Sequence, residues 1–200
     1  MHADPRLAKA FPAAAAGLAR ARDLVAAGLS RSELARLVAD GRLLRIGRGL
    51  YAQPDYRPSE HSAISTVAGR APGVVFCLLT ALRFHGLTTQ APFEVWIAIA
   101  NKSHPPRLDY PPLRVVRFSD ESLQAGVEVH DVDGMQIRVT SVAKTVADCF
   151  KFRSKVGMDV ALEALREARR SRKTTADELW RCAGIDRVAN VMRPYLEAMA

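Results

Sequence analysis

Residues 19–53, ARARDLVAAGLSRSELARLVADGRLLRIGRGLYAQ, decide how the chain is read. They spell a short helix, a turn containing Gly28, a capped second helix and an arginine-studded hairpin. That order is the sequence form of a winged helix-turn-helix, whose second helix lies in the major groove of duplex DNA. Ser30 as N-cap and Glu33 three residues on make a capping box, and Leu29 and Leu34 are placed as its hydrophobic staple. Leu34, Leu37 and Val38 recur at the spacing of a buried stripe. Ser32 and Arg36 then fall on the opposite face, flanked by Ala35 and Ala39. Small residues beside an arginine suit close approach to a groove floor. Gly41 is placed to stop the helix. Leu43 to Ile46 and Leu50 to Ala52 read as strands around Gly47-Arg48-Gly49, a hairpin wing with Arg48 at its tip.

The pattern assigns roles. Ser32 and Arg36 face base edges, arginine being suited to bidentate contact with guanine. Arg20, Arg22 and Arg31 hold phosphates, Arg42 and Arg45 add charge along the wing, and Arg48 reaches the minor groove or the backbone. Asp40, toward the outward face, repels phosphate and confines groove contact to the first two turns of the helix. A capped amphipathic helix followed by a hairpin also occurs in protein-docking modules, which is the competing reading of the same residues.

Charge supports a polyanion partner. The chain of 200 residues carries a net charge of +8, and its sequence pI is near 9.9. The excess is concentrated: residues 1–57 hold ten Lys/Arg against five Asp/Glu, and residues 151–173 hold eight against three. Bulk charge fits an anionic membrane nearly as well, so the motif decides for nucleic acid. Cys77, Cys149 and Cys182 are odd in number and widely spaced, which excludes a zinc ribbon or a disulfide framework and points to a reducing cytoplasm. The Ala-rich run from Ala10 to Ala19 is expected to be a first supporting helix rather than a signal peptide. The longest uncharged run, Ala71 to Leu82, is too short for a bilayer. A cytoplasmic protein without membrane association is expected.

Two domains follow: residues 1–57 as the DNA-binding part, and residues 58–200 as an α+β domain of mixed sheet and helices, separated by the proline-punctuated segment Pro54 to Pro58. In the second, Ser59 caps a helix running to about Arg70, Val74 to Phe76 is a short strand, and Leu79 to His85 is a helix ending at Gly86. Phe93 to Ala100 is apolar on both faces and so expected to be central. Asn101 to Pro112 is a loop and Leu113 to Phe118 a strand. Val127 to Val132 and Met135 to Thr140 form a hairpin around Asp133-Gly134. Helices follow from Ser141, after Gly157, from Thr175 with Glu178 as its box partner, and from Val188 to Met199 across Pro194.

No catalytic constellation assembles. There is no GxxxxGK[ST], GxGxxG or GxSxG. His85 beside Gly86 reads as a helix-end residue, and Glu128, Asp131 and Asp133 sit at a hairpin where turn formation suffices. An enzyme acting on nucleic acid would need His85 and those acids to converge. His61, His104 and His130 lack metal-ligand spacing. Neither cofactor nor metal is expected. On the helix after Gly157, Glu163, Arg166, Glu167 and Arg170 have the mixed signs of a solvated face. Lys151, Arg153 and Lys155 before them, and Arg169 to Lys173 after, are a less balanced second basic patch.

Leu24 to Tyr51 resembles the N-terminal domain of AbiEi-family antitoxins and transcriptional regulators of type IV, abortive-infection toxin–antitoxin systems. The strongest local match is GRLLRIGRGLYA, Gly41 to Ala52. The similarity continues in order through TALRFHGL (Thr80 to Leu87), GMQIRVTS (Gly134 to Ser141) and KTVAD (Lys144 to Asp148). The resemblance implies a promoter-binding autorepressor that counters a nucleotidyltransferase-like toxin without a stable complex. It carries DNA contact onto Ser32, Arg36, Arg45 and Arg48, and a basic antitoxicity surface onto Lys151, Arg153, Lys155, Arg169 and Arg170. Operators of such modules are usually inverted repeats, so two molecules per site are expected. The alternative is an interaction module that neutralises its toxin by direct binding.

Overall fold

The computed structural model describes residues 5–11 and 17–198 and divides into two compact units. One comprises Met1–Gly73 with His130–Ile137, the other Val74–Val129 with Arg138–Ala200. The helix expected after residue 57 therefore packs with the first unit, as does the tip of the Asp133-Gly134 hairpin.

In the first unit the order is α1 (Pro5–Ala10), β1 (Leu18–Arg20), α2 (Ala21–Ala26), α3 (Arg31–Ala39), β2 (Leu44–Gly47), β3 (Leu50–Ala52) and α4 (Ser62–Arg70). The expected helix over Ala10 to Ala19 is corrected at both described ends: α1 stops at Ala10, and Leu18–Arg20 is a strand. Its middle, residues 12–16, lies outside the described residues. The strands form an antiparallel sheet in the order β1-β3-β2. Strand alternation sends Ala19 and Tyr51 toward the helices, where Ala19 joins a core of Leu7, Phe11, Leu24, Leu29, Leu34, Leu37 and Leu43. Leu18, Leu50 and Ala52 point the other way and are fully buried. α4 covers that face. Gly69 permits the approach, since a Cβ there would stand 2.6 Å from a Leu50 methyl. A sheet apolar on both faces needs cover on both, so α4 belongs with it.

The hairpin tip completes this unit. Asp133 takes a left-handed φ of 51° in the turn, and its Oδ2 accepts from Ser65 Oγ (2.8 Å), Ser59 Oγ (2.9 Å) and Tyr56 Oη (3.3 Å). Its carbonyl accepts from the Leu18 N–H at 2.8 Å. Partial burial, reinforced by the Asp133 carboxylate, pushes the Tyr56 phenol up to about 12. Ser59 thus serves Asp133 and the His61 N–H rather than capping α4, which begins two residues later than a Ser59 cap implied.

The rest of the chain holds β4 (Val75–Phe76), α5 (Leu78–Phe84), β5 (Val95–Ala100), β6 (Leu113–Phe118), α6 (Asp120–Gln124), β7 (Val127–Val132) and β8 (Met135–Thr140), whose residues 130–137 count with the first unit, then α7 (Val142–Lys151), α8 (Arg153–Val156), α9 (Met158–Arg170), α10 (Ala176–Ile185) and α11 (Ala189–Glu197). The mixed sheet runs β6-β5-β4-β8-β7, with β5 parallel to β6 and antiparallel to β4. β5 is therefore one place from the edge, and the two-residue β4 takes the centre. The short α6 was not legible in the sequence. Ser141 and Thr175 cap α7 and α10 as expected.

Candidate nucleic-acid interface

The turn between α2 and α3 is fixed by local chemistry. Gly28, at φ 100°, ends α2, with Leu29 N–H on the Leu24 carbonyl (3.1 Å) and Gly28 N–H on the Val25 carbonyl (2.9 Å). Ser30 then caps α3: the Glu33 N–H donates to Ser30 Oγ (3.2 Å) and the Ser30 N–H to Glu33 Oε2 (2.8 Å). Arg6 of α1 reaches both sides of the turn, donating to Glu33 Oε1 (3.0 Å) and the Gly28 carbonyl (3.3 Å). The Ser30 contacts, with help from Arg6, hold the Glu33 carboxyl down at about 2. Leu29 and Leu34 are buried as the staple requires. Gly41, at φ 67°, closes α3, with Arg42 N–H on the Leu37 carbonyl at 2.8 Å.

This frame leaves one face of α3 outward. Arg31, Ser32, Ala35, Arg36 and Ala39 are all exposed, and Asp40 lies exposed at the foot of the ridge. Ser32 Oγ shares a hydrogen bond with Ser30 Oγ (3.0 Å). Beyond Leu43, the β2–β3 hairpin pairs Arg45 with Tyr51 and Gly47 with Leu50, with a bulge between Arg45 and Gly47. Arg42, Arg45 and Arg48 are exposed. Among the described residues Arg31, Arg36, Arg42, Arg45 and Arg48 make no ion pair or side-chain hydrogen bond. An array of unneutralised guanidinium groups on capped, rigid elements is equipped to meet phosphates and base edges.

Two expected phosphate contacts fare differently. Arg22 is exposed, with a 3.4 Å contact to its neighbour Asp23. Arg20 is corrected: its Nε donates to the Gly69 carbonyl (3.1 Å) and a terminal nitrogen to the Ala68 carbonyl (2.9 Å). A cation at these last carbonyls of α4 satisfies orphan acceptors and complements the helix dipole. Arg20 is a strut between β1 and α4.

The second basic patch is mostly consumed within its own unit. Lys151 pairs with Asp186 (3.2 Å), Arg153 donates to the Phe150 carbonyl (2.9 Å), and Arg170 grips Glu167 through two bonds (2.8 and 2.9 Å). Arg169 is half-buried, and Lys155 is exposed with its ammonium 5.9 Å from the Phe152 ring centre. The sequence reading missed what lies beneath. Lys144 is fully buried, bonded to Asp148, to both oxygens of Asp186 (3.1 and 3.3 Å) and to Ser122 Oγ (3.2 Å), with its ammonium 4.7 Å from the Phe118 ring centre. Burial opposes the charge on Lys144, but the two carboxylates outweigh it and raise its pKa. Asp186 is likewise penalised by burial, yet Lys144, Asp148, Ser122 and Lys151 together hold it below the ordinary range. The i, i+4 spacing of Lys144 and Asp148 was visible; their burial was not.

The expected non-sites are accounted for locally. His85 caps the end of α5 and its Nε2 sits 2.7 Å from the Thr140 carbonyl, while Asp133 is engaged by three hydroxyls. Among the described residues no group of His, Cys, Asp and Glu is arranged to hold a metal ion, and no helix is long and apolar enough to cross a membrane. Burial pushes the thiols of Cys77, Cys149 and Cys182 up.

The family described as transcriptional regulator, AbiEi antitoxin, matches residues 11–54, the segment holding α2, α3 and the hairpin. No curated protein matches the chain.

Proposed function

We propose, from the match of residues 11–54 to the AbiEi antitoxin transcriptional regulators, that the chain is a DNA-binding autorepressor with a winged helix-turn-helix in its first unit. The order α1-β1-α2-α3-β2-β3 and the strand order β1-β3-β2 support that reading. The observation that carries it is the exposed ridge of Arg31, Ser32, Ala35, Arg36 and Ala39 on a doubly capped helix, beside a hairpin whose arginines have no partner among the described residues. Ser32 and Arg36 read base edges, Arg22 and Arg31 hold phosphates, and Arg42, Arg45 and Arg48 extend the contact along the wing. Residues 1–57 carry the contacts, with α4 as their scaffold, and two molecules occupy an inverted repeat.

The repressor is the antitoxin of a type IV system, and the second unit opposes a nucleotidyltransferase-like toxin without a stoichiometric complex. With Lys151, Arg153 and Arg170 engaged internally and Arg169 half-buried, Lys155 is the most open cation of the expected countertoxin surface. Footprinting on the promoter with Arg36→Ala tests the core of this proposal. A loss of about 1–3 kcal/mol confined to the preferred site is expected. Equal loss on specific and random duplex removes the base-reading role, and a stoichiometric complex with the toxin favours direct neutralisation instead.

A further inference from the structure

Phe93 is 82% exposed and Tyr110 75%, the two most exposed large apolar side chains among the described residues. A lone aromatic on a surface needs no explanation, but these two share a location within the second unit. β5 and β6 run parallel with Val95 opposite Leu113, and the Val95 N–H donates to the Pro112 carbonyl (2.9 Å). Phe93 and Tyr110 therefore precede two paired strands at the same end of the sheet. Arg114 stands at that end as well, its guanidinium 5.5 Å from the Trp96 ring centre and 3.9 Å from Glu94. We propose that this end of the sheet, with the loop leading to it, binds single-stranded RNA by stacking unpaired bases on Phe93 and Tyr110.

Charge complementarity names the partner. Residues 101–117 hold Lys102, Arg107, Arg114 and Arg117 against Asp109 alone, half of the eight Lys/Arg between residues 58 and 150. Because β5 and β6 are parallel neighbours, the loop of residues 101–112 travels back along them, about 20 Å for six residues. Lys102 and Arg107 are thereby strung out toward the aromatic end, exposed and without an ion pair or side-chain hydrogen bond among the described residues. Arg117 fastens the start of this loop, donating to the carbonyls of Ala100 (3.1 Å) and Ser103 (2.9 Å). Cations spaced along a path that ends in open ring faces match a phosphate backbone with its bases turned out. Duplex DNA cannot use the rings, because its base faces are already stacked, whereas unpaired loops and ends are routine in RNA. Ser103 and His104, exposed between the two cations, offer partners to 2′-hydroxyls that deoxyribose lacks. An acidic peptide would meet the cations but leave the ring faces without a planar partner. None of these residues enters the DNA-binding reading of the first unit, so the two proposals fail separately.

The test is fluorescence anisotropy of the full chain with labelled oligouridine and oligoadenosine strands of about twelve nucleotides, beside oligodeoxythymidine, duplex RNA and duplex DNA. Both RNA strands should bind, about fivefold more tightly than oligodeoxythymidine. Phe93→Ala combined with Tyr110→Ala, checked for native circular dichroism, should weaken RNA binding about tenfold or more and leave duplex DNA binding within about twofold. Arg36→Ala should do the reverse. Phe93→Trp should keep RNA binding, with its emission quenched as a base stacks on the indole. Unchanged RNA binding in the double variant overturns the stacking role, and duplex RNA or oligodeoxythymidine bound as well as the RNA strands overturns the choice of partner. Loss of RNA and duplex binding together in Arg36→Ala places the RNA on the α3 ridge and overturns the proposal too. So does an absence of RNA binding; self-association in sedimentation that Phe93→Ala abolishes would then assign the surface to a second copy of the chain.

Discussion

The outward face of α3 and the inward face of α7 hold the same kind of residue in opposite circumstances. Arg31 and Arg36 stand exposed without partners among the described residues, while Lys144 is sealed from solvent and bonded to Asp148, Asp186 and Ser122. An exposed cation keeps its water and adds nothing to the core, so its value lies in what it later meets. A buried cation has lost its water and survives only through its partners, so its value lies in the one arrangement that satisfies it. The α3 ridge and the α7 core thus hold their cations in opposite ways, and substitution separates the two.

The largest effect is expected at Lys144. Lys144→Met keeps much of the volume but leaves Asp148 and Asp186 buried without their shared cation, for a loss of about 3–5 kcal/mol in chemical denaturation. Asp186 keeps Lys151 and Ser122, but Asp148, whose Oδ2 already has no hydrogen-bond partner, keeps no cation. Adding Asp148→Leu to Lys144→Met should restore part of the loss, because one stranded carboxylate goes with it. Arg36→Ala should leave the denaturation midpoint unchanged while weakening DNA binding. A stability loss at Arg36 comparable to that at Lys144 would erase the distinction.

Asp133 is the intermediate case, an anion that organises the unit presenting the cations. Asp133→Ala removes the acceptor for Ser59, Ser65 and Tyr56 and places alanine at positive φ. A cost of about 1–3 kcal/mol is expected. Asp133→Asn, which tolerates the same backbone, should recover the part owed to conformation. Because residues 130–137 complete this unit, a fragment ending at Gly73 should fold less stably and bind DNA more weakly than the full chain, as measured by denaturation and gel shift.

What was legible in the sequence follows the same division. The Ser30–Glu33 and Thr175–Glu178 boxes, the Gly28 and Gly41 stops and the Asp133-Gly134 hairpin are set by residues a few positions apart, and they formed where expected. The partners of Arg20 lie 48 and 49 residues away, and Asp186 lies 42 residues from Lys144, so no local spacing announced either. The Ala-rich run misled because helix propensity spoke there while the pairing of Leu18 with Ala52, which made a strand, did not. The exposed arginine ridge was readable for the opposite reason: one helix places it, and nothing distant claims it. Arg20, equally basic, was claimed by α4.

The smallest effect tests whether the frame behind the ridge is electrostatic. Glu33 has its pKa lowered from 4.5 to about 2 by Ser30 and Arg6, and Glu178 shifts in the same direction through Thr175 and Thr174. Above pH 4.5 Glu33 is ionised in folded and unfolded chains, and its contribution is complete. As pH falls from 4.5 toward 2, the unfolded chain takes up the proton first, so the folded state loses ground. Glu33→Gln, which can still accept from the Ser30 N–H but carries no charge, should flatten this part of the stability–pH curve without abolishing α3. The glutamate lies at the surface, so high salt should flatten the same region in the unmodified chain. If the curve keeps its slope in Glu33→Gln, the cap works through hydrogen-bond geometry alone.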